Sequence, residues 1–96
     1  MCKAGNEAMD LLVKAIVAIE SEEECKLFLE DLMTKKEMMD MAQRLLVAKL
    51  LSEQTVYTKI ASETGASTAT ISRVKRCCDY GAGGYGAILS KISKEA

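Results

Sequence analysis

The chain is predicted to be all-α by three observations. It lacks proline, no long stretch alternates β-branched with polar residues, and apolar positions recur at steps of three and four, punctuated by Ser or Thr with Glu three places on. At 96 residues, 49% hydrophobic and 28% charged, it is expected to fold as one domain, 1–96, with one small core. Because the sequence holds no histidine, imidazole acid–base catalysis and His-containing metal sites are excluded. Cysteines at positions 2, 25, 77 and 78 have no Cys-x-x-Cys spacing, so neither a zinc knuckle nor a redox pair is expected. Reduced thiols in a cytoplasm fit better, with Cys25 and Cys77 in the core. Lys14 and Glu20 bracket the only long apolar run, which is far too short to span a membrane. No cofactor and no enzymatic activity are expected; a nucleophilic Cys77 or Cys78 has no histidine to activate it.

In the first helix, expected from Asn6 to Glu20, Met9, Leu12, Ile16 and Ile19 form a stripe that Val13 widens. Ser21-Glu-Glu-Glu24 is a capping box that restarts the pattern, predicting a helix from Glu22 to Leu32 that presents Cys25, Phe28, Leu29 and Leu32. Thr34-Lys-Lys-Glu37 repeats that signature and opens a longer helix to Ser52. It carries two apolar stripes, Met38, Met41, Leu45, Ala48, Leu51 and Met39, Ala42, Leu46, Leu50. So wide an apolar surface has too little to hide against in a small chain, so residues 6–54 are expected to form an obligate homodimer. The alternative is a compact monomer that uses Met33, Met38, Met39 and Met41 as flexible filler.

Residues 55–78 carry the most specific pattern. Ala61 is small where helices would cross, Gly65 can end a helix in the left-handed region, Ser67 can cap the next one, and Ile60, Ile71 and Val74 would face one another. This spacing predicts a helix-turn-helix: a helix from Val56 to Thr64, a turn over Gly65 to Ser67, and a helix from Thr68 to Cys78. Charge separates the same way, with seven basic and eleven acidic residues in 1–55 against six basic and three acidic in 56–96. Polyanion contact is therefore expected from the second half, unless the imbalance is chance. Candidate double-stranded DNA contacts on the second helix are Ser67, Thr68, Ala69, Thr70, Ser72 and Arg73, with Lys75 and Arg76 further along. Thr55, Tyr57, Thr58 and Lys59 are placed to hold phosphates at the start of the first. An αα-hairpin that merely packs would use the same small residues and glycine turn, and a helical module docking an acidic protein surface is the alternative function. Residues 79–96 hold Gly81-Ala-Gly-Gly-Tyr-Gly86, expected to break any helix, and a last helix from Ala87 to Lys94 offering Ile88, Leu89 and Ile92 to the core.

The run through Leu29, Thr34-Lys-Lys-Glu37, Gln43-Arg44 and Ala69-Thr-Ile-Ser-Arg73 resembles the tryptophan repressor family. Ile71-Ser-Arg-Val-Lys-Arg-Cys-Cys-Asp-Tyr-Gly-Ala-Gly-Gly-Tyr85 resembles its YerC/YecD branch more closely. The resemblance, over Glu7 to Ile92, implies an intertwined all-helical homodimer with two outward reading heads, acting as a sequence-specific transcriptional regulator, a repressor by occlusion. It also implies an effector pocket at Arg44, Arg73, Val74 and Cys77. The family has glycine and serine where this chain has Val74 and Cys77; an isopropyl group in the ring's place and a thiol facing an ammonium disfavour tryptophan. Tryptophan is expected not to bind, a different small effector stays open, and Arg44 alternatively pairs with Asp40.

Overall fold

In the computed structural model, residues 3–95 are described, with side chains from residue 5 to residue 93. The described residues form six helices and no strand: α1 (Lys3–Ala18), α2 (Glu22–Leu32), α3 (Lys35–Ser52), α4 (Tyr57–Thr64), α5 (Thr68–Tyr80) and α6 (Gly84–Glu95). They divide into two units at the Lys35–Lys36 boundary.

The first unit holds α1 and α2. α1 ends at Ala18, two residues short of the expected Glu20, and begins at Lys3 rather than Asn6. Ser21 caps α2 as expected, its Oγ accepting from the Glu24 amide at 3.1 Å. The Glu24 carboxylate returns to the Glu20 amide at 2.8 Å, one residue before the position a capping box uses, so it ties the end of the linker to the first turn. No described residue of this unit is fully buried, and Met9, Leu11, Ile16, Val17 and Leu27 are all exposed in the single chain.

The second unit contains the core. Val47 and Ala48 of α3, Ile60 of α4, Ala66 of the turn, and Ile71 and Val74 of α5 are buried together, with Leu50, Leu51, Tyr57, Ala61, Tyr85 and Leu89 packed against them. The expected wedge of Ile60, Ile71 and Val74 is therefore present, and α3 is its backstop. Val47, the deepest α3 residue, belongs to neither predicted stripe. Most of those stripes stay uncovered: Met39, Met41, Leu45 and Leu46 are exposed.

The ends of α3 and α4 both place a residue in the left-handed region. Past Ser52, the Thr55 amide donates to the Leu50 carbonyl (3.1 Å) and the Gln54 amide to Leu51 (3.0 Å), with Gln54 at φ 63°. This is a Schellman ending whose left-handed position holds a glutamine. α4 ends on Gly65 at φ 74°, its amide donating to the Ala61 carbonyl at 2.9 Å. A Cβ there would meet nothing within 4 Å, so the backbone angle and not crowding calls for glycine.

Four expectations are corrected. α5 runs to Tyr80, two residues past Cys78. The glycine run interrupts helix only over Gly81 to Gly83; Gly84 already opens α6, whose apolar contacts outweigh the low propensity of two glycines. Of the three α6 residues assigned to the core only Leu89 reaches it, since Ile88 and Ile92 are half exposed at 50% and 51%. Cys77 is exposed and not in the core: it stands one helical turn past Val74 but lines an open groove with Leu45 and Tyr85; Cys25 is half-buried.

Candidate nucleic-acid interface

The helix-turn-helix is assembled by its own hydrogen bonds. Thr64 closes α4 with its Oγ1 donating to the Ile60 carbonyl at 2.8 Å and accepting from the Ala66 amide at 3.1 Å. Ser67 then caps α5, accepting from the Thr70 amide at 3.1 Å and donating to Thr70 Oγ1 at 3.1 Å. Two candidate DNA contacts, Ser67 and Thr70, thus have hydroxyls turned on each other, and Thr70 is half-buried.

The other candidates on α5 are exposed. With Ile71 and Val74 locked in the core, the opposite face carries Ala69, Ser72, Arg73 and Arg76 at steps of three and four, with Thr68 beside them at the N-terminal end. Neither Arg73 nor Arg76 belongs to an ion pair among the described residues, whereas Lys59 and Lys75 do. Lys75 lies 3.1 Å from Asp79 and Lys59 lies 4.0 Å from Glu63, each one helical turn apart. The hydrogen bond and charge of Asp79 hold the Lys75 ammonium above the ordinary lysine range, with a smaller contribution from Tyr57. Burial, reinforced by the Asp79 charge, pushes the Cys78 thiol up, which keeps it neutral and a poor nucleophile.

On α4 the set divides again. Thr58 and Lys59 are exposed, Thr55 is half-buried and Tyr57 lies against the core. The N-cap residue Val56 supplies no side-chain acceptor, so the first amides of α4 lack a side-chain cap from it. Those amides suit a phosphate oxygen.

The four effector-pocket candidates differ in exposure. Arg44 and Arg73 are exposed, Val74 is 2% exposed within the core, and Cys77 lines a separate apolar groove of about 460 Å³ with Leu45, Gly81–Gly84, Tyr85 and Ile88. Arg73 and Val74 are helical neighbours about 100° apart, so one faces out when the other faces in. Asp40 does not pair with Arg44; its carboxylate takes Lys36 at 3.0 Å, one turn earlier. Gln43, which enters the sequence reading only through the family resemblance and is given no role there, donates its Nε2 to the Thr64 carbonyl at 3.1 Å and so joins α3 to the turn. The signal for a structural role is its place one helical turn before Val47 on the buried face of α3.

The family described as Trp repressor protein matches residues 7–93. The chain belongs to the Trp repressor family. It is 46% identical over 92 residues to YerC of Bacillus subtilis (strain 168), described as uncharacterized, covering 96% of this chain and 88% of that protein. Among solved structures, a TrpR-like protein from Eubacterium eligens ATCC 27750 is 41% identical with a TM-score of 0.87, over 91% of this chain and 90% of that one. A further structure in the Trp repressor family, from Staphylococcus aureus, is also 41% identical with a TM-score of 0.87, over 97% of this chain and 96% of that one. The relatives therefore span both units and both helices of the motif. No described helix is long and apolar enough to cross a membrane.

Proposed function

We propose that this member of the Trp repressor family is a cytoplasmic, sequence-specific DNA-binding regulator. It works as a homodimer, represses by occlusion, catalyses no reaction and does not respond to tryptophan. The observation that carries the reading is the split character of α5. Ile71 and Val74 fix one face in the core, while Ala69, Ser72, Arg73 and Arg76 leave the other exposed, and the two arginines have no carboxylate partner among the described residues. Short side chains let a helix axis approach base edges, hydroxyls bond donors or acceptors, and a guanidinium can grip guanine O6 and N7 together. The uncapped start of α4, with Thr58 and Lys59, supplies a phosphate anchor one element away.

Dimerisation supplies the rest. Uncovered apolar residues on α1, α2, α3 and α6 outnumber the six buried ones, and a second copy of the chain is the natural cover for them. Two-fold symmetry then sets the two α5 helices about 34 Å apart against a pseudo-palindromic site. The whole chain, 1–96, works as one domain, with 6–54 pairing the subunits, 55–78 reading DNA and 79–96 closing the fold.

Selection of bound sequences from random duplexes by the purified protein, with and without free amino acids, tests this. A pair of half-sites one helical turn apart is expected, unchanged by tryptophan. Affinity should fall steeply between about 50 and 200 mM salt. Enrichment of no sequence together with a flat salt response would overturn the reading in favour of an acidic protein partner.

A further inference from the structure

We infer that Gln43 is a positioning residue for DNA readout: it sets the presentation of α5 through the α4 terminus and touches no nucleic acid itself. This rests on the reading of α5 as the DNA-reading helix.

The argument begins with the carbonyls that the end of a helix leaves without intrahelical donors. In α4 the Ala61 carbonyl is taken by the Gly65 amide and the Thr64 carbonyl by Gln43 Nε2, at 2.9 and 3.1 Å. Thr64 is also the residue whose hydroxyl ties Ile60 to Ala66. Gln43 therefore donates to the residue that organises the whole turn, three positions before the Ser67 cap that starts α5. The bond spans 21 residues and is partly shielded from water, whereas the other side-chain hydrogen bonds given above join residues within four positions of one another.

Its helix face explains how it can do this. Gln43 stands one turn before Val47, which is completely buried, so Gln43 continues the core face of α3 to the edge where the turn lies. A leucine there could cover as much apolar surface, but the Thr64 carbonyl would lose its donor. What the glutamine adds is direction: a single N–H fixed on a rigid helix, aimed at one carbonyl of the turn. Ile60, Ile71 and Val74 hold α4 and α5 together; Gln43 registers that pair against α3.

Gln43→Met keeps length and shape and removes the donor, Gln43→Glu sets an acceptor against an acceptor, and Gln43→Lys retains a donor able to reach. All three are studied in the full-length protein by amide hydrogen exchange and by affinity for the selected site against random duplex. In Gln43→Met, exchange at Gly65 and Ala66 should rise about two- to tenfold, the range one net hydrogen bond represents, while Ile71 and Val74 stay unchanged. The preference for the selected site should narrow by a similar factor, with random-duplex affinity unaltered. Gln43→Glu should do more, and Gln43→Lys should restore protection at the turn. Wild-type exchange and preference in Gln43→Met would overturn the inference. So would equal loss of protection at Ile71 and Val74, which marks a merely structural role. A wild-type protein that selects no sequence removes the DNA reading and with it the role in readout, while the exchange measurement still decides whether Gln43 holds the turn.

Discussion

At the scale of single residues, the cations near the motif are not equivalent. Arg73 and Arg76 are unpaired among the described residues, whereas Lys75 is held by Asp79 and Lys59 by Glu63. An ammonium already facing a carboxylate releases less counterion when it meets a phosphate. Lys75→Ala should therefore reduce the salt slope by less than about one, and by a full unit only in an Asp79→Asn background. Asp79→Asn alone should tighten random and selected DNA alike, whereas Arg73→Ala should weaken the selected site more; titrations at several salt concentrations separate these outcomes. The raised Lys75 value works in one direction: the pair's contribution is complete below the ordinary lysine range and lost only as pH rises through the raised one. Cys78 has the same sign, so its contribution fades only above the ordinary thiol range. At about pH 8.5, where a free thiol is half ionised, Cys78 should alkylate more slowly than a simple thiol, and a rate at or above that standard would show the thiol is not perturbed. The residue types at the interface could be read from spacing, because helical period assigns the outward face. Their pairing could not, since Lys75 with Asp79 and Asp40 with Lys36 or Arg44 are equally spaced alternatives on a helix surface, and Arg44 lost that competition.

At the scale of elements, two helix endings in one short chain use the same left-handed position with different residues. Gly65 was legible because glycine there has a reason; Gln54 was not, because nothing in glutamine announces φ 63°. The pair predicts changes of opposite sign. Gly65→Ala should destabilise by about 1 kcal/mol or more, with free space around the new Cβ leaving only the backbone penalty. Gln54→Gly should stabilise by about 0.5–1 kcal/mol, relieving that penalty at the end of α3. Denaturant midpoints of both variants decide it, and equal signs would refute the shared geometry. The extent of α6 shows where local reasoning fails. Propensity argued for a break through Gly86, yet Tyr85 and Leu89 reach the core from a helix that begins at Gly84. Tertiary contact overrode an unfavourable local preference there. The Ser and Thr starts of α2, α3 and α5 needed no such help, which is why they were read correctly.

At the scale of the whole molecule, the balance between buried and uncovered apolar surface decides how the chain can be stable. Only six of the described residues are buried, all in the second unit, and none of them is in α1 or α2. A core of that size, set against the conformational entropy of ordering some ninety residues, leaves little net stability for the isolated chain. The α3–α6 groove of about 530 Å³ is lined by Ala42, Leu45, Leu46, Leu89 and Ile92 together with Lys49, Ser52, Glu53 and Ser93. A mostly apolar lining with a few polar and charged residues is the composition of a protein interface. Leu45 is the sharpest probe because it lines this groove and the one beside Cys77 while remaining 39% exposed in the single chain. Leu45→Asp should thus be tolerated by a monomer, which leaves the carboxylate in water, but not by a dimer that buries it unpaired at a cost of several kcal/mol. The expected result is a shift to monomer in sedimentation with a lower unfolding midpoint that no longer depends on protein concentration. DNA affinity should fall with it, since one reading head keeps only half of a two-fold site. A Leu45→Asp protein that sediments as a dimer and binds at wild-type affinity would move the subunit contact away from α3 and require another cover for its apolar faces.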